Sequence, residues 1–168
     1  ANLGRFEVIN TNDSGGGSLR QAITNANANT FVVDTIVFDI PGGGVQSIQP
    51  LSTLPTITDG TIIDGTSQPG YAGSPLIELD GTNAGIDVSG LTVTETSTIR
   101  GLTINRFDDF GILLSGASSD GTKIQSNWIG LDATGTSAQS NDLDGISLQG
   151  SSRTVIGTDG DGVSDATE

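Results

Sequence analysis

The feature that most constrains this chain is an imperfect internal repeat of short β-branched segments that end in glycine or Asp-Gly. Residues 97–100 correspond to residues 121–124 and then to 153–156, and residues 111–116 correspond to 145–150. One such strand cannot bury its apolar face alone, but strands stacked on their equivalents bury each other's side chains. The repeat therefore predicts a stack of short parallel strands.

The spacing of the repeat varies while its strand pattern persists. Ile99 precedes its equivalent Ile124 by 25 residues, and Ile112 precedes Ile146 by 34. The difference falls in a polar loop at residues 131–143, which is rich in Asp, Thr, Ser and Gly. Tolerated loop insertions between repeats are typical of solenoids. We therefore expect an all-β fold, a parallel β-helix.

No helix signal separates the β-branched segments after residue 60, so we expect strands throughout this part of the chain. The predicted strands cover residues 61–64, 76–79, 86–89, 98–104, 112–115, 122–129, 146–149 and 154–156.

The N-terminal part has a different pattern. Residues 5–10 and 35–40 read as strands, and between them Ser18 and Gln21 form a capping box that opens a helix. Apolar residues follow at i, i+3, i+4 and i+7, namely Leu19, Ala22, Ile23 and Ala26. We expect a single domain over residues 1–168, with a cap of one strand and a short α-helix at 1–45 and the stack at 46–168.

A family resemblance supports this fold. Residues 10–23, residues 57–60 and 63–71, and the Ile-Gly-Leu-Asp-Ala-Thr-Gly-Thr segment at 129–136 resemble bacterial right-handed parallel β-helix repeat proteins. The resemblance spans essentially the whole chain and implies a pectate-lyase-like architecture within a large multidomain surface protein. Such families include enzymes, adhesins and passive spacers, so the resemblance leaves the activity open.

Composition limits the partners and the setting. The formal net charge is −14, from 20 acidic and 6 basic residues, and this charge repels nucleic acid and anionic membrane surfaces. No stretch has the roughly 20 apolar residues that a membrane span needs. The chain has no Cys and no Met, which suits a secreted, cell-surface location. We expect no nucleic-acid partner and no membrane insertion.

The C-terminal segment contains candidate calcium ligands. Against a twelve-residue calcium loop, Asp159, Asp161, Asp165 and Glu168 fall at positions 3, 5, 9 and 12, and Gly162 falls at the sixth. Gly157 stands at position 1, where the loop pattern has Asp. The alternative is an Asp-Gly turn without a metal ion, because both residues favour turns for backbone reasons.

The sequence also offers residues for a lyase-like site, in which a cationic base works beside carboxylate-held Ca²⁺. The residues to weigh are Arg100, Arg106 and Lys123 with Asp108 and Asp109, and Arg100 and Lys123 fall near equivalent points of the repeat. The chain has no His, and no motif beyond that alignment indicates catalysis. Ordinary surface ion pairs are the alternative interpretation.

Two aromatic residues could contact a sugar. Tyr71 lies in a Gln-Pro-Gly-Tyr loop and is the candidate ligand-binding residue. Alternation through Ile124, Ser126 and Trp128 places these three side chains on one face, which predicts that Trp128 is buried in the core.

Together these observations favour a noncatalytic structural or adhesive module of an extracellular bacterial surface protein, with Ca²⁺ as a stabilising ion. The alternatives are a polysaccharide-active enzyme and a glycan-binding domain. We expect the C-terminal end of the stack to expose unpaired strand edges. Its partners would then be further strand layers or copies of the chain itself, with cell-surface polysaccharide as another candidate.

Overall fold

The computed structural model describes residues 4–30 and 32–157. These residues form one α-helix, α1 (Leu19–Ala28), and thirteen short strands. The strands are β1 (Arg5–Val8), β2 (Asp34–Phe38), β3 (Gln46–Ile48), β4 (Thr61–Asp64), β5 (Ile77–Asp80), β6 (Leu91–Val93), β7 (Thr98–Arg100), β8 (Leu102–Asn105), β9 (Ile112–Ser115), β10 (Lys123–Gln125), β11 (Trp128–Ile129), β12 (Ile146–Gln149) and β13 (Val155–Ile156).

The strands form three parallel sheets, which we name by their size. The six-stranded sheet has the order β1-β2-β4-β7-β10-β13, the four-stranded sheet β11-β8-β5-β3, and the three-stranded sheet β12-β9-β6. From β4 onward, consecutive strands of the chain lie in different sheets, so each sheet grows by pairing strands that are distant in sequence.

The predicted fold class is wrong. We expected an all-β, right-handed parallel β-helix solenoid, but the described residues form a mixed α/β arrangement of three parallel sheets with different numbers of strands. After β1 the chain enters α1 and returns to the same sheet as β2. The helix is also part of the core, since its apolar residues belong to the same buried cluster as the sheets.

The isoleucine pairings predicted from the internal repeat are confirmed, but residues 98–100 pair with 123–125, so the predicted match of 97–100 with 121–124 is wrong by one residue. Ile99 is the partner of Ile124, and Ile112 is the partner of Ile146. In the six-stranded sheet, Ile36, Ile63 and Ile99 follow one another in register, and all three are fully buried. Equivalent isoleucines therefore stack on each other across the strands and form the core.

Several predicted strand boundaries need correction because residues with left-handed backbone interrupt the chain. Residues 86–89 form a turn, in which Asp87 has φ 54°, and the strand follows as β6. Gly101 (φ 70°) separates β7 from β8, and Ser126 (φ 54°) separates β10 from β11. At both positions the chain turns from the six-stranded into the four-stranded sheet.

The helix matches its sequence signal. The Ser18 side chain caps α1 by accepting a hydrogen bond from the Gln21 backbone N–H (3.2 Å), and the predicted apolar stripe is buried. Polar residues fix the outer surface of the helix to residues 52–58. The Asn27 amide donates to the Thr56 carbonyl (2.7 Å), and the Arg20 guanidinium donates to the Ser52 carbonyl (2.9 Å).

Glycine allows neighbouring strand layers to approach closely at two corners of the structure. A Cβ added to Gly65 would lie 2.2 Å from the Gly101 carbonyl oxygen, and one added to Gly111 would lie 2.6 Å from the Gly145 carbonyl oxygen. These neighbours are backbone atoms and cannot rotate away. Both positions therefore require glycine for steric reasons.

We predict that Gly65→Ala destabilises the protein by about 2 kcal/mol or more, because the new methyl group overlaps fixed backbone. The measurement is the free energy of unfolding from urea titration followed by circular dichroism. Gly16→Ala is the matched control, because no atom lies within 4 Å of its Cβ position. The control should change stability by less than about 0.5 kcal/mol. Equal effects of the two substitutions would contradict the prediction.

Candidate functional site

A recurring turn places carboxylates on the outside of the sheets. In each copy an Asp Oδ1 accepts hydrogen bonds from both the backbone N–H and the hydroxyl of the Thr two residues later. The pairs are Asp64 with Thr66, Asp80 with Thr82, and Asp132 with Thr134. The spacing Asp-x-Thr is visible in the sequence and could have identified all three turns.

The first of these carboxylates forms a bidentate ion pair across two strands. The Nε atom of Arg100 lies 3.0 Å from Asp64 Oδ1, and its second nitrogen lies 2.7 Å from Oδ2. The two residues are register partners on β4 and β7. Burial acts to raise the pKa of Asp64, but the hydrogen bonds from Arg100 and Thr66 outweigh it and hold that pKa below 3.8.

Tyr71 lies beside this ion pair. Its side chain is half-buried, and burial raises its pKa above 10.0, with the negative charge of Asp64 adding to the effect. A sugar ring can stack on an aromatic side chain while its hydroxyl groups form hydrogen bonds with a neighbouring Arg–Asp pair. Ligand binding by Tyr71 remains a prediction.

A second ion pair lies on the outer face of the four-stranded sheet. The Nε atom of Arg106 lies 2.9 Å from Asp80 Oδ1, and another of its nitrogens lies 3.5 Å from Glu78 Oε1. Burial acts to raise the pKa of Asp80, but hydrogen bonds from Thr82, Gln49 and Arg106 keep that pKa below 3.8. Both carboxylates are buried, and the guanidinium is about one-third exposed.

The adjacent carboxylates Asp108 and Asp109 stabilise a neighbouring turn. Asp108 accepts a hydrogen bond from the Asp87 backbone N–H (2.7 Å), and Asp109 accepts one from the Ser89 hydroxyl (2.6 Å). Both therefore fix the segment that precedes β6.

Arg100 and Lys123 lie on the same outer face of adjacent strands, but they are not register partners. Because Ile99 pairs with Ile124, Arg100 pairs with Gln125, and Lys123 pairs with Thr98. Lys123 is exposed beside a shallow pocket of about 200 Å³ that Val33 also lines. The residues weighed for a lyase-like site thus contact different partners and do not form one cluster among the described residues.

The core position predicted for Trp128 is also wrong. Trp128 pairs with Thr103 on the outer face of the four-stranded sheet, and its neighbour Ile129 packs against the core. The left-handed backbone at Ser126 breaks the alternation on which the prediction depended. The polar loop covers the indole so closely that a Cβ on Gly135 would lie 2.7 Å from a ring carbon.

The predicted calcium ligands Asp159, Asp161, Asp165 and Glu168 lie outside the described residues. Within residues 4–30 and 32–157, no group of three or more His, Cys, Asp or Glu side chains is arranged to hold a metal ion. The same residues include no helix that is long and apolar enough to cross a membrane.

Comparisons with known proteins identify no family. No family model matches the sequence, and no curated protein matches it significantly. The resemblance to β-helix repeat proteins therefore remains an expectation from sequence motifs.

We predict that acid weakens the fold through Asp64. Its folded-state pKa lies below the ordinary 3.8, so its stabilising effect is present above that value and is lost as the pH falls through the lower folded-state pKa. The melting temperature should stay level from about pH 6 to 5 and fall below about pH 4. Asp64→Asn should cost about 0.5–1 kcal/mol at pH 6 and reduce the acid dependence.

The matched control is Asp39→Asn, because Asp39 is exposed and its carboxylate makes no hydrogen bond within the described residues. Thermal melts of the three proteins from about pH 6 to 2 make the comparison. Equal acid dependence in the wild type and Asp64→Asn would contradict the role of the ion pair.

Proposed function

We propose that this chain is a noncatalytic structural module of an extracellular surface protein, and that it associates with a second copy through the end of the fold formed by β11, β12 and β13. We call this end the terminal face. The observation that carries the proposal is that the apolar core reaches the surface there.

The terminal face contains the last strand of every sheet. β13, β11 and β12 each stand at one end of their sheet's strand order, so each has one edge without a strand partner among the described residues. Ile124, Ile129, Ile146 and Ile156 line one pocket of about 280 Å³, which places the three sheets around a shared opening. Free edges with apolar residues between them favour association.

Exposure of equivalent residues rises abruptly at this face. Leu114 is fully buried, but its register partner Leu148 is 45% exposed. Ile124 is 2% exposed, and its partner Ile156 is 52% exposed. A further layer would bury these side chains as the inner layers bury their equivalents, at about 25 cal/mol per Å² of apolar surface.

The opposite end favours a closed pair of subunits over a filament. There α1 packs against β1 and β2 and buries its apolar residues, and apart from Phe6 the pocket of about 420 Å³ beside it is lined by small or polar residues such as Gly4, Asn25 and Asn29. Two terminal faces that meet each other form an isologous contact, which closes at two subunits. The net charge of −14 on each copy opposes their approach, so salt should strengthen the association.

The test is the mass of the full chain by light scattering over a range of micromolar concentrations, at low and high salt. We expect the wild type to approach the dimer mass as concentration and salt increase. Leu148→Lys should remain a monomer, because a charge would enter the apolar contact. The matched control, Ile86→Lys, changes a side chain that is 80% exposed in the turn before β6, and it should behave as the wild type does.

Two results would overturn the proposal. A constant monomer mass for the wild type under every condition would exclude association. Equal masses for Leu148→Lys and the wild-type dimer would show that another surface makes the contact.

A further inference from the structure

A group of buried oxygen atoms lies on the outer face of the four-stranded sheet. Glu78 on β5 pairs in register with Thr103 on β8, and Asn105 follows two residues later on the same face. These side chains point away from the core, yet Glu78 is only 7% exposed, Thr103 1% and Asn105 0%. Polar side chains in such surroundings need partners.

Two of these oxygens have no hydrogen-bond partner in the part of the chain that the structure describes. Within the described residues, neither Thr103 Oγ1 nor Asn105 Oδ1 makes a hydrogen bond, and both atoms are fully buried. A buried oxygen without a partner costs folding free energy, and two on one face are unusual for a native structure. The pair therefore points to a group that these oxygens bind.

The Asn105 amide lies beside two further oxygen atoms. Its Nδ2 atom donates to Glu78 Oε1 (3.0 Å) and to the Leu131 carbonyl oxygen (2.8 Å). Its Oδ1 therefore faces away from these two oxygens, and a cation beside them would favour the amide rotated by 180°, which exchanges the two atoms and turns Oδ1 toward both. Thr103 is the register partner of Glu78, so its hydroxyl lies on the same patch.

The charges around the patch do not cancel, because Glu78 and Asp80 both pair with the single guanidinium of Arg106. Arg106 makes its short ion pair with Asp80 (2.9 Å) and lies 3.5 Å from Glu78. Both carboxylate oxygens of Asp80 accept hydrogen bonds, because Gln49 donates to Oδ2 (2.6 Å). Two buried carboxylates thus share one guanidinium, which leaves a net negative charge where a cation would be stabilised.

We propose that Glu78, Thr103 and Asn105 bind a hard cation of the Ca²⁺ class, with the Leu131 carbonyl oxygen next to the site. Carboxylate, hydroxyl, amide and backbone oxygens are the ligands that Ca²⁺ prefers. None of these residues belongs to the acidic C-terminal segment, and the site does not depend on association through the terminal face.

The test uses Tb³⁺ as a luminescent substitute for Ca²⁺ on the EDTA-treated full chain. Trp128 is the only tryptophan, and it is the register partner of Thr103, so its excitation should sensitise a bound Tb³⁺. We expect saturable emission that Ca²⁺ displaces. Glu78→Gln removes the charge, and Thr103→Val removes the hydroxyl but keeps the side-chain shape. Each should weaken binding by roughly tenfold or more.

Two controls locate the ion. Glu95→Gln makes the same chemical change on a carboxylate that follows β6, and the double variant Asp161→Ala/Asp165→Ala removes the other candidate ligands. Both should bind Tb³⁺ as the wild type does, and circular dichroism should show every variant folded. Absence of sensitised emission would overturn the site and leave water as the occupant. Wild-type affinity in Thr103→Val, or emission lost only in the double variant, would also overturn it.

Discussion

The close approach of backbone to backbone between paired parallel strands is the constraint on which the rest of the structure depends. Gly65 and Gly111 leave no room for a Cβ against the carbonyl groups of Gly101 and Gly145. Hydrogen bonds between the paired strands set the spacing and register at which equivalent isoleucines stack, and glycine at these corners leaves room for that spacing. Packing of the core therefore depends on the glycines at the corners as well as on the stacked isoleucines.

Several of the acidic residues stabilise turns and link neighbouring strands. Asp64, Asp80 and Asp132 each close a turn by accepting two hydrogen bonds from one threonine. Asp64 also binds Arg100 on the neighbouring strand, and Asp80 binds Arg106 directly after the neighbouring strand, so each carboxylate fixes a turn and links it to the next layer. Arg100 and Arg106, the arginines considered for catalysis, stabilise the outer face through these ion pairs. The two proposals therefore use other features, namely the exposed strand edges and the buried oxygen atoms.

The proposed association and the proposed cation site both arise from the way the strands stack. At the terminal face the stack ends with apolar side chains whose inner equivalents are buried, such as Leu148 beside Leu114. On the four-stranded sheet the loop over Trp128 buries polar side chains that would otherwise be solvated, such as Asn105. Association would cover the first surface, and a cation would satisfy the second.

The sequence by itself determined the local elements whose signals are periodic: the capped helix, the isoleucine repeat and strands such as β4, β9 and β12. It also contained the Asp-x-Thr turns, which are local hydrogen-bond patterns. Only the tertiary structure decided the fold class, the face of Trp128 and the partners of Arg100, Arg106 and Glu78. These features depend on the left-handed backbone at Ser126, which no periodic pattern indicates, and on strand pairs such as β5 with β8, which lie outside the recognised repeat.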